Sequence, residues 1–220
     1  MLACMVFEGT KYCFLVNRAF DMWMVSLCIP RNTLIEGELV DTTYIIYDGY
    51  MVSGENIMNM NLIDRLKKIE PVTKGPKMKI DVRMKTMWKL KSIPDILKMN
   101  FPYKTDGLIF TPVDDPIRLE THETMFKWKP IHHITVDFKV LKRLNKYGLY
   151  VWDRGTYVLE SDFEDNPAYE NKIVECRYDN GHWLFVKVRE DKPMPNNRRT
   201  YYRTLINLRE NIQPEEFLTP

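Results

Sequence analysis

The sequence predicts an α+β protein with two parts: a mixed α/β domain over residues 1–140 and a small antiparallel β-barrel domain over residues 141–220. A length of 220 residues allows two modest domains, since single domains commonly contain ~100–200 residues. Short apolar segments separated by thirteen prolines and nine glycines favour strands over long helices. From residue 147 onward strand-like segments and turns follow one another, which is typical of a small β domain.

In the first part, six segments have the apolar or alternating composition of short strands. They are Phe14–Asn17, Trp23–Leu27, Leu39–Tyr47, Lys79–Met84, Gly107–Phe110 and Thr135–Leu141. Two segments predict helices. Leu62–Ile69 repeats with helical period and can be capped by Asn59 or Asn61, and a short helix is expected at Ile93–Met99, where Pro94 marks the start.

The second part predicts four strands and a closing helix. The strands are Leu149–Trp152, Thr156–Leu159, Lys172–Tyr178 and Trp183–Val188, and the helix is Arg203–Ile212. Asp-Arg-Gly at 153–155 and Asp-Asn-Gly at 179–181 are turn sequences between these strands.

Composition excludes several classes of protein. With 45% hydrophobic residues the chain can bury a core, and the net charge of +2 excludes a bulk polycation that binds nucleic acid by charge alone. Apolar runs are far shorter than the ~20 residues of a membrane span, so no membrane association is expected. The four cysteines form no CxxC pair, which favours buried reduced thiols, no structural metal, and a cytosolic or nuclear compartment.

Three clusters carry residues suited to chemistry. Asp106-Gly107 at the start of a strand can present a carboxylate to a ligand, although an ordinary Asp-Gly turn is the alternative. Lys127 and Lys129 alternate along an extended segment and suit a polyphosphate, or else a solvated strand edge. Two carboxylates in TLIEGE at 33–38 share one side of a strand, which suits a metal or a ribose.

A basic stretch near the end of the chain is the densest run of cations. It contains Lys187, Arg189, Lys192, Arg198 and Arg199. Such a run favours contact with RNA or another anion, and a solvated face is the alternative.

In this order and spacing the clusters resemble the covalent nucleotidyltransferase superfamily of DNA and RNA ligases and mRNA capping enzymes, and within it the guanylyltransferases of mRNA capping. The matching segments are TLIEGELV (33–40), YIIYD (44–48), TDGLIFTP (105–112), FKWKP followed by TVDF (126–138) and IVECRYDNGHWLFVKVREDKPMPN (173–196). The resemblance implies an ATP-grasp-like nucleotidyltransferase domain over 1–140, N-terminally truncated relative to the family, and an OB-fold barrel over 141–220.

What the family does is implied by the same resemblance. A lysine attacks the α-phosphate of GTP with Mg²⁺ or Mn²⁺, and the bound GMP passes to the 5′-diphosphate end of RNA during mRNA processing. Expected partners are GTP, the RNA 5′ end, an RNA triphosphatase and a cap methyltransferase. The expected compartment is the nucleus, or the cytoplasm if the source is viral.

Residue roles in the first part follow from the matching motifs. Lys127 and Lys129 would hold the α-phosphate as catalytic cations, and Glu38 with Asp106 would hold the metal. Four further residues would bind the nucleotide: Lys11 and Arg18 at the ribose or phosphate, Tyr47 stacked on guanine, and Lys85 at its six-position oxygen.

In the second part the implied roles concern the outer phosphates. Arg189 and Lys192 would close over the β- and γ-phosphates, and Asp191 would help orient the departing pyrophosphate.

The motif that should contain the nucleophilic lysine departs from the family pattern KxDGxR. The chain has Val6-Phe7-Glu8-Gly9-Thr10-Lys11, so Val6 stands where the lysine is expected and Lys11 takes the arginine position. Valine has no lone pair with which to attack phosphorus. Either the protein is a degenerate guanylyltransferase, or its true beginning is missing. A GTP- and RNA-end-binding pseudoenzyme and, less favoured by the KWKP…VDF and DK…PN motifs, an ATP-dependent polynucleotide ligase are the alternatives.

Overall fold

The computed structural model describes residues 2–6, 13–17, 20–75, 79–119, 122–163 and 166–218. The chain divides into two compact units, residues 1–104 with 109–126 and residues 105–108 with 127–220. The described residues form fourteen strands and three α-helices, which confirms the predicted mixed α+β class. The predicted boundary after residue 140 stays a prediction. Within the described ranges, no helix has the length and apolar character needed to cross a bilayer.

A seven-stranded sheet dominates the first unit. Its strands are β1 (Leu2–Val6), β2 (Cys13–Val16), β3 (Met22–Val25), β4 (Thr33–Val40), β5 (Thr43–Val52), β6 (Glu55–Asn56) and β7 (Asp81–Met84). The order is β3-β2-β1-β4-β5-β6, and neighbours in that order run antiparallel, while β7 pairs with β5 in parallel. Ile35, Tyr44 and Ile46 from β4 and β5 are fully buried in its core.

The prediction of a single strand at Leu39–Tyr47 is wrong. β4 ends at Val40 and β5 begins at Thr43, with a tight turn at residues 41–42. Asp41 adopts a left-handed φ of 51°, which its short polar side chain tolerates better than most residues do. Because this turn contains neither glycine nor proline, the sequence gives no signal that separates the two strands.

Helix α1 (Leu62–Ile69) has the predicted limits. The Asn61 side chain accepts a hydrogen bond from the Asp64 backbone N–H, and Leu62 and Ile69 are buried, so the cap and the apolar face agree. Helix α2 (Ile93–Ile96) is shorter than the predicted 93–99.

The second unit is built on a five-stranded antiparallel sheet. Its strands are β10 (Thr135–Arg143), β11 (Lys146–Asp153), β12 (Thr156–Phe163), β13 (Ile173–Asp179) and β14 (His182–Val188). Outside this sheet, β8 (Leu108–Phe110) pairs with β9 (Phe126–Trp128) in a sheet of two strands. The order β12-β11-β10-β13-β14 contains a Greek key, since β13 returns to lie beside β10. No ladder closes β12 onto β14 in the described residues, so the sheet predicted to form a small β-barrel is open there.

The closing helix α3 (Arg198–Glu210) begins five residues before the predicted Arg203. The Asn197 side chain accepts a hydrogen bond from the Thr200 backbone N–H and caps it. The buried face of α3 contributes Tyr201 to a core that includes Phe138 and Trp183. Among the thiols, Cys13 and Cys176 are buried as predicted, whereas Cys28 is exposed.

Candidate functional site

Three of the sequence-predicted positions, Val6, Lys11 and Arg18, belong to the first eighteen residues of the sequence. Lys11 and Arg18 fall outside the described residues, and for Val6 the backbone alone is described. Residue 6 ends β1, and its Cα pairs with those of Cys13 on β2 and Thr33 on β4. The position expected to carry the nucleophile is therefore next to the start of the strand that contains the TLIEGELV motif.

Two β-bulges in β5 shape the face that carries the predicted guanine-stacking residue. Glu36 pairs with Asp48 while Gly37 pairs with Ile46, so Tyr47 has no partner on β4. A second register shift lies one step along the ladder: Leu34 pairs with Met51 and Ile35 pairs with Gly49, so Tyr50 also has no partner on β4. Bulges re-aim side chains and occur frequently beside active sites.

The two bulged tyrosines share one carboxylate. The Tyr50 hydroxyl donates to Glu36 Oε2 at 2.8 Å, and Tyr47 lies within the electrostatic influence of both Glu36 and Glu38. Burial raises the pKa of both phenols, and the negative charge of Glu36 raises it further, so both stay protonated over the physiological range. Glu36, Glu38, Tyr47, Tyr50 and Lys85 are called the tyrosine–glutamate cluster below.

Lys85 completes this cluster from the strand beside β5. It follows β7 directly, and its backbone N–H donates to the Ile46 carbonyl at 2.6 Å. Its ammonium nitrogen lies 5.9 Å from the centroid of the Tyr47 ring, within cation–π range. The two residues predicted to bind the guanine base are thus adjacent, and Glu38, predicted as a metal ligand, is exposed beside them.

A buried ion pair holds the neighbouring residue of the YIIYD motif. Arg65 of α1 is 2% exposed and binds Asp48 with two hydrogen bonds, Nε to Oδ1 at 2.8 Å and Nη2 to Oδ2 at 2.9 Å. Its Nη1 donates to the carbonyls of Met60 and Asp115 at 2.5 and 3.1 Å. The guanidinium therefore anchors α1 to β5 directly next to Tyr47. Sequence reasoning gave no role to either member of this pair.

In the second unit the predicted carboxylate and both predicted catalytic lysines meet. Lys129 Nζ lies 2.5 Å and Lys127 Nζ 3.3 Å from the same oxygen, Asp106 Oδ2. Partial burial acts to raise the pKa of Asp106, but the hydrogen bond and charge of Lys129, followed by those of Lys127, hold it below its ordinary value. Lys127 and Asp106 are half exposed, so the group remains accessible to a ligand.

Gly107 explains why these segments approach so closely. A Cβ at this position would collide with the Trp128 carbonyl and lie 3.0 Å from the Lys129 Cα. The φ of +141° is also one that residues with a side chain rarely adopt. On the other side of the segment, the Trp128 indole N–H donates to the Ile212 carbonyl at 2.8 Å and fixes the strand that carries the lysines.

The predicted outer-phosphate residues lie in a compact network of alternating charge. Arg189 forms a fork with Asp191, at 2.8 and 2.7 Å, and its Nη1 donates to both oxygens of Asp137 at 3.0 and 3.2 Å. Lys192 Nζ contacts Asp137 Oδ2, and Glu175 Oε2 lies 3.6 Å from the Arg189 guanidinium. Asp137 is 4% exposed.

This network shifts the protonation of its members. Hydrogen bonds from Arg189 lower the pKa of Asp191 to about 2. The pKa of Arg189 is raised, because its hydrogen bond to Asp191 and the charges of Asp137, Asp191 and Glu175 outweigh the effect of burial. The backbone of Asp137 is fixed by Asn196, whose Oδ1 accepts from the Asp137 N–H at 2.8 Å and whose N–H donates to the Asp137 carbonyl at 2.8 Å. Arg189, Asp191 and Lys192 therefore lie close together, and the partners of the two cations are carboxylates. Their role at the outer phosphates stays a prediction.

Comparison with known families accounts for the order of these motifs. The family described as mRNA capping enzyme, catalytic domain, matches residues 1–131, and the family described as mRNA capping enzyme, C-terminal domain, matches residues 97–218. The chain belongs to the mRNA capping enzyme family. This capping-enzyme resemblance is the one that the sequence predicted.

The similar proteins found by comparison are named as mRNA-capping enzymes or their subunits. The chain is 30% identical over 202 residues to an mRNA-capping enzyme of Danio rerio and 29% identical over 206 residues to one of Mus musculus, covering 75% and 77% of this chain. It is 24% identical over 238 residues to an mRNA-capping enzyme subunit alpha of Schizosaccharomyces pombe, covering 85% of this chain. The matches span 33%, 34% and 59% of those proteins, so the chain corresponds to only part of each.

Within this capping-enzyme chain, the residues that sequence reasoning missed are mostly the acidic partners of predicted basic groups. Asp137 lies in the matching segment TVDF and Glu175 in the matching segment IVEC. A carboxylate inside each family motif was therefore the signal that could have identified these partners. Glu36 was noted beside Glu38 as one of two carboxylates on one side of a strand, and the structure buries it while leaving Glu38 exposed.

Proposed function

We propose that this chain is an mRNA capping guanylyltransferase-like protein that binds GTP and the 5′ end of RNA. The observation that carries the proposal is the meeting of Lys127 and Lys129 at Asp106 within the TDG and KWK motifs of the capping family. Two ammonium groups beside a carboxylate can neutralise a phosphate and place it near a divalent ion. Family membership supports guanine nucleotide as the ligand.

The divalent ion expected from the family is Mg²⁺ or Mn²⁺, and the carboxylates present fit it. Mg²⁺ is commonly held by one or two carboxylates together with substrate phosphates. Both lysines contact Oδ2 of Asp106, whose side chain is 57% exposed, so its other oxygen can face an ion. We assign Asp106 to this role on these contacts, and Glu38 by the family pattern alone. The ion would offset phosphate charge, while Lys127 and Lys129 orient the α-phosphate.

Nucleoside and outer-phosphate contacts complete the proposal. Tyr47 stacks on guanine and Lys85 donates to its six-position oxygen, supported by their 5.9 Å approach. Arg189 and Lys192 exchange their carboxylate partners for the β- and γ-phosphates of bound GTP, and Asp191 helps to orient these two phosphates. Lys11 and Arg18 are assigned to the ribose or phosphate by family pattern alone.

The proposal also covers the fold of the second unit, the cellular compartment and the partner proteins. We assign the Greek-key sheet to an OB-fold, a partly open Greek-key barrel that binds oligonucleotides. The protein acts in mRNA processing in the nucleus, or in the cytoplasm of a virus-infected cell. It works with an RNA triphosphatase and a cap methyltransferase. The name of the fission yeast relative, a subunit alpha, supports a complex with another protein.

A second candidate is a GTP- and RNA-end-binding module that transfers no GMP. Val6 favours it, because valine at the nucleophile position cannot form the phosphoramidate bond from lysine nitrogen to phosphorus. For this 220-residue chain we therefore expect nucleotide binding without a covalent adduct.

The test is incubation of the full chain with α-labelled GTP or ATP and Mg²⁺ or Mn²⁺, combined with equilibrium binding of unlabelled GTP. We expect GTP binding and no acid-labile adduct, with weaker binding by the Lys127→Met/Lys129→Met variant. Lys67→Met is the matched control, since Lys67 is 70% exposed on α1. An AMP adduct would indicate a ligase, a GMP adduct would refute the non-covalent assignment, and no GTP binding up to about 1 mM would refute the proposed function.

A further inference from the structure

A cavity of about 660 Å³ lies in the second unit, beside the turn that joins β13 to β14. Three segments form its wall: the residues that follow β9, the β13–β14 turn and the C-terminal half of α3. This volume is within the range of ligand-binding pockets, about 300–1,000 Å³. The cavity is called the arginine cavity below, and its lining includes Ile131, His132, Arg177, Tyr178, Leu205 and Arg209. None of these residues has a role in the function proposed above.

Two arginines of this cavity have no acidic partner. Within the ranges that the structure describes, the side chains of Arg177 and Arg209 form neither an ion pair nor a hydrogen bond. By contrast, the guanidinium groups of Arg65, Arg189 and Arg198 each pair with a carboxylate. A guanidinium presents five N–H donors in a planar fork that fits phosphate oxygens. Two unpaired guanidinium groups on one cavity therefore favour an anionic ligand.

The same cavity offers an aromatic ring and apolar side chains. Tyr178 packs edge-on against the buried Trp183, with ring centroids 5.1 Å apart, so the core supports its ring. Leu205 and Leu208 of α3 add apolar surface, and the turn contributes Asp179, which can accept from an N–H of a base. Unpaired bases stack on aromatic side chains while nearby cations contact the phosphates. The combination favours a single-stranded nucleic acid over a small anion.

The arginine cavity adjoins the lysine pair that is proposed to hold the α-phosphate. Ile131 and His132 follow Lys129 by two and three residues, a stretch of chain that spans at most ~10 Å. The Trp128 indole N–H donates to the Ile212 carbonyl at 2.8 Å, which holds this segment against the chain that leaves α3. In the proposed reaction the 5′ end of RNA must reach that phosphate. The nucleotides behind the 5′ end would then lie beside the cavity.

We propose that the arginine cavity binds the acceptor RNA: phosphates behind the 5′ end contact Arg177 and Arg209, and an unpaired base stacks on Tyr178. The inference rests on the proposed function, since it specifies how the RNA assigned there is held. Contacts to phosphates and stacking on a ring carry little sequence information, so this site accepts RNA of varied sequence.

The experiment measures dissociation constants of the full chain for GTP and for a ten-nucleotide single-stranded RNA with a 5′-diphosphate. Wild type is compared with Arg177→Met/Arg209→Met. The matched control, Arg143→Met/Lys146→Met, removes two exposed cations from the β10–β11 hairpin of the same unit. Loss of two phosphate contacts to a single strand should weaken RNA binding about 25-fold at ~0.1 M salt and reduce the slope of log K against log salt by about 1.4. The control should lose less than about three-fold, and GTP affinity should stay within about two-fold in both variants.

Crosslinking locates the RNA on the wild-type chain without any substitution. RNA carrying 4-thiouridine at its second or third nucleotide should crosslink within residues 131–132, 177–181 or 205–209. Crosslinks confined to other residues, or equal losses of RNA affinity in the two variants, would overturn the inference and leave the proposed function intact.

The measurements with GTP separate the remaining outcomes. A matching loss of GTP affinity in Arg177→Met/Arg209→Met would overturn the inference in favour of a structural role for these arginines. Failure of the wild-type chain to bind GTP, with RNA crosslinked in the cavity, would refute the proposed function and support the cavity as an RNA site. Absence of RNA binding up to about 1 mM would overturn both.

Discussion

Replacing Arg65 by methionine is expected to unfold the first unit locally, because it leaves a buried carboxylate without its counter-ion. Methionine keeps much of the aliphatic length of arginine but removes every N–H donor. Asp48 would retain the Gly49 backbone N–H, which donates to Oδ1 at 2.8 Å, as its remaining donor within the described residues. Two carbonyls, of Met60 and Asp115, would lose their donor as well.

The size of the effect follows from burial. Arg65 is 2% exposed and Asp48 is 8% exposed, so neither solvent nor salt compensates for the lost partner. Breaking a buried pair by removing one member costs about 3–5 kcal/mol. That is a large part of the ~5–15 kcal/mol by which a typical domain is stable. The double variant Asp48→Asn/Arg65→Met should recover part of the loss, since no buried charge is then left unpaired.

Amide hydrogen exchange of the intact chain, read by mass spectrometry over residues 43–52 and 62–69, is the assay. It reports each unit separately, whereas a single melting curve would mix two units. Protection of these peptides should fall by about two to three and a half orders of magnitude. Lys68→Met is the control and should change little, because Lys68 and Glu55 form an exposed pair. A loss of less than tenfold in Arg65→Met would refute the reasoning.

Three further predictions concern the second unit. Gly107→Ala should separate Asp106 from its two lysines, and a carboxyl NMR titration should then show its pKa rising toward the ordinary 3.8; an unchanged midpoint would contradict the packing argument. In the wild-type chain Asp191 should titrate at about 2. Because this pKa is depressed on folding, its ion pair stabilises the fold above pH ~4 and is lost as pH falls toward 2. Asp137→Asn should lower the free energy of unfolding by about 1.5–3 kcal/mol because it weakens the Arg189 contacts, whereas Asp191→Asn, at the surface, should have the smaller effect on hydrogen exchange; equal effects would show that burial does not decide the difference.

Local signals in the sequence were sufficient for several elements. The cap and period of Leu62–Ile69 predicted α1 to the residue, because an Asn N-cap and an apolar helical face are both encoded within a few positions. Strands of the second unit were located by turns containing glycine, such as the one at 153–155. The motif order predicted the family. Alternation along the extended segment 126–130 predicted that Lys127 and Lys129 share a side, and both contact Asp106.

Other features depend on partners distant in sequence, which local patterns do not contain. Arg65 and Asp48 are seventeen residues apart and meet because α1 packs on β5. The bulges at Tyr47 and Tyr50 are properties of the β4–β5 register, and a strict alternation would place these two residues on opposite faces. Glu36 and Glu38 likewise look equivalent by alternation, yet one is buried and the other exposed.

The acidic partners of the basic residues give a reason why ligand binding can be selective. Arg189 and Lys192 are held by Asp137, and Asp137 is in turn fixed by two backbone hydrogen bonds to Asn196. Their side chains are therefore ordered before any ligand arrives, which reduces the entropy lost on binding. A ligand must also replace the carboxylate contacts that it displaces, so a single weak anion gains little. A polyphosphate presents several charges at once and can satisfy both cations, so the outer-phosphate site proposed above would favour such a ligand over an anion with a single charge.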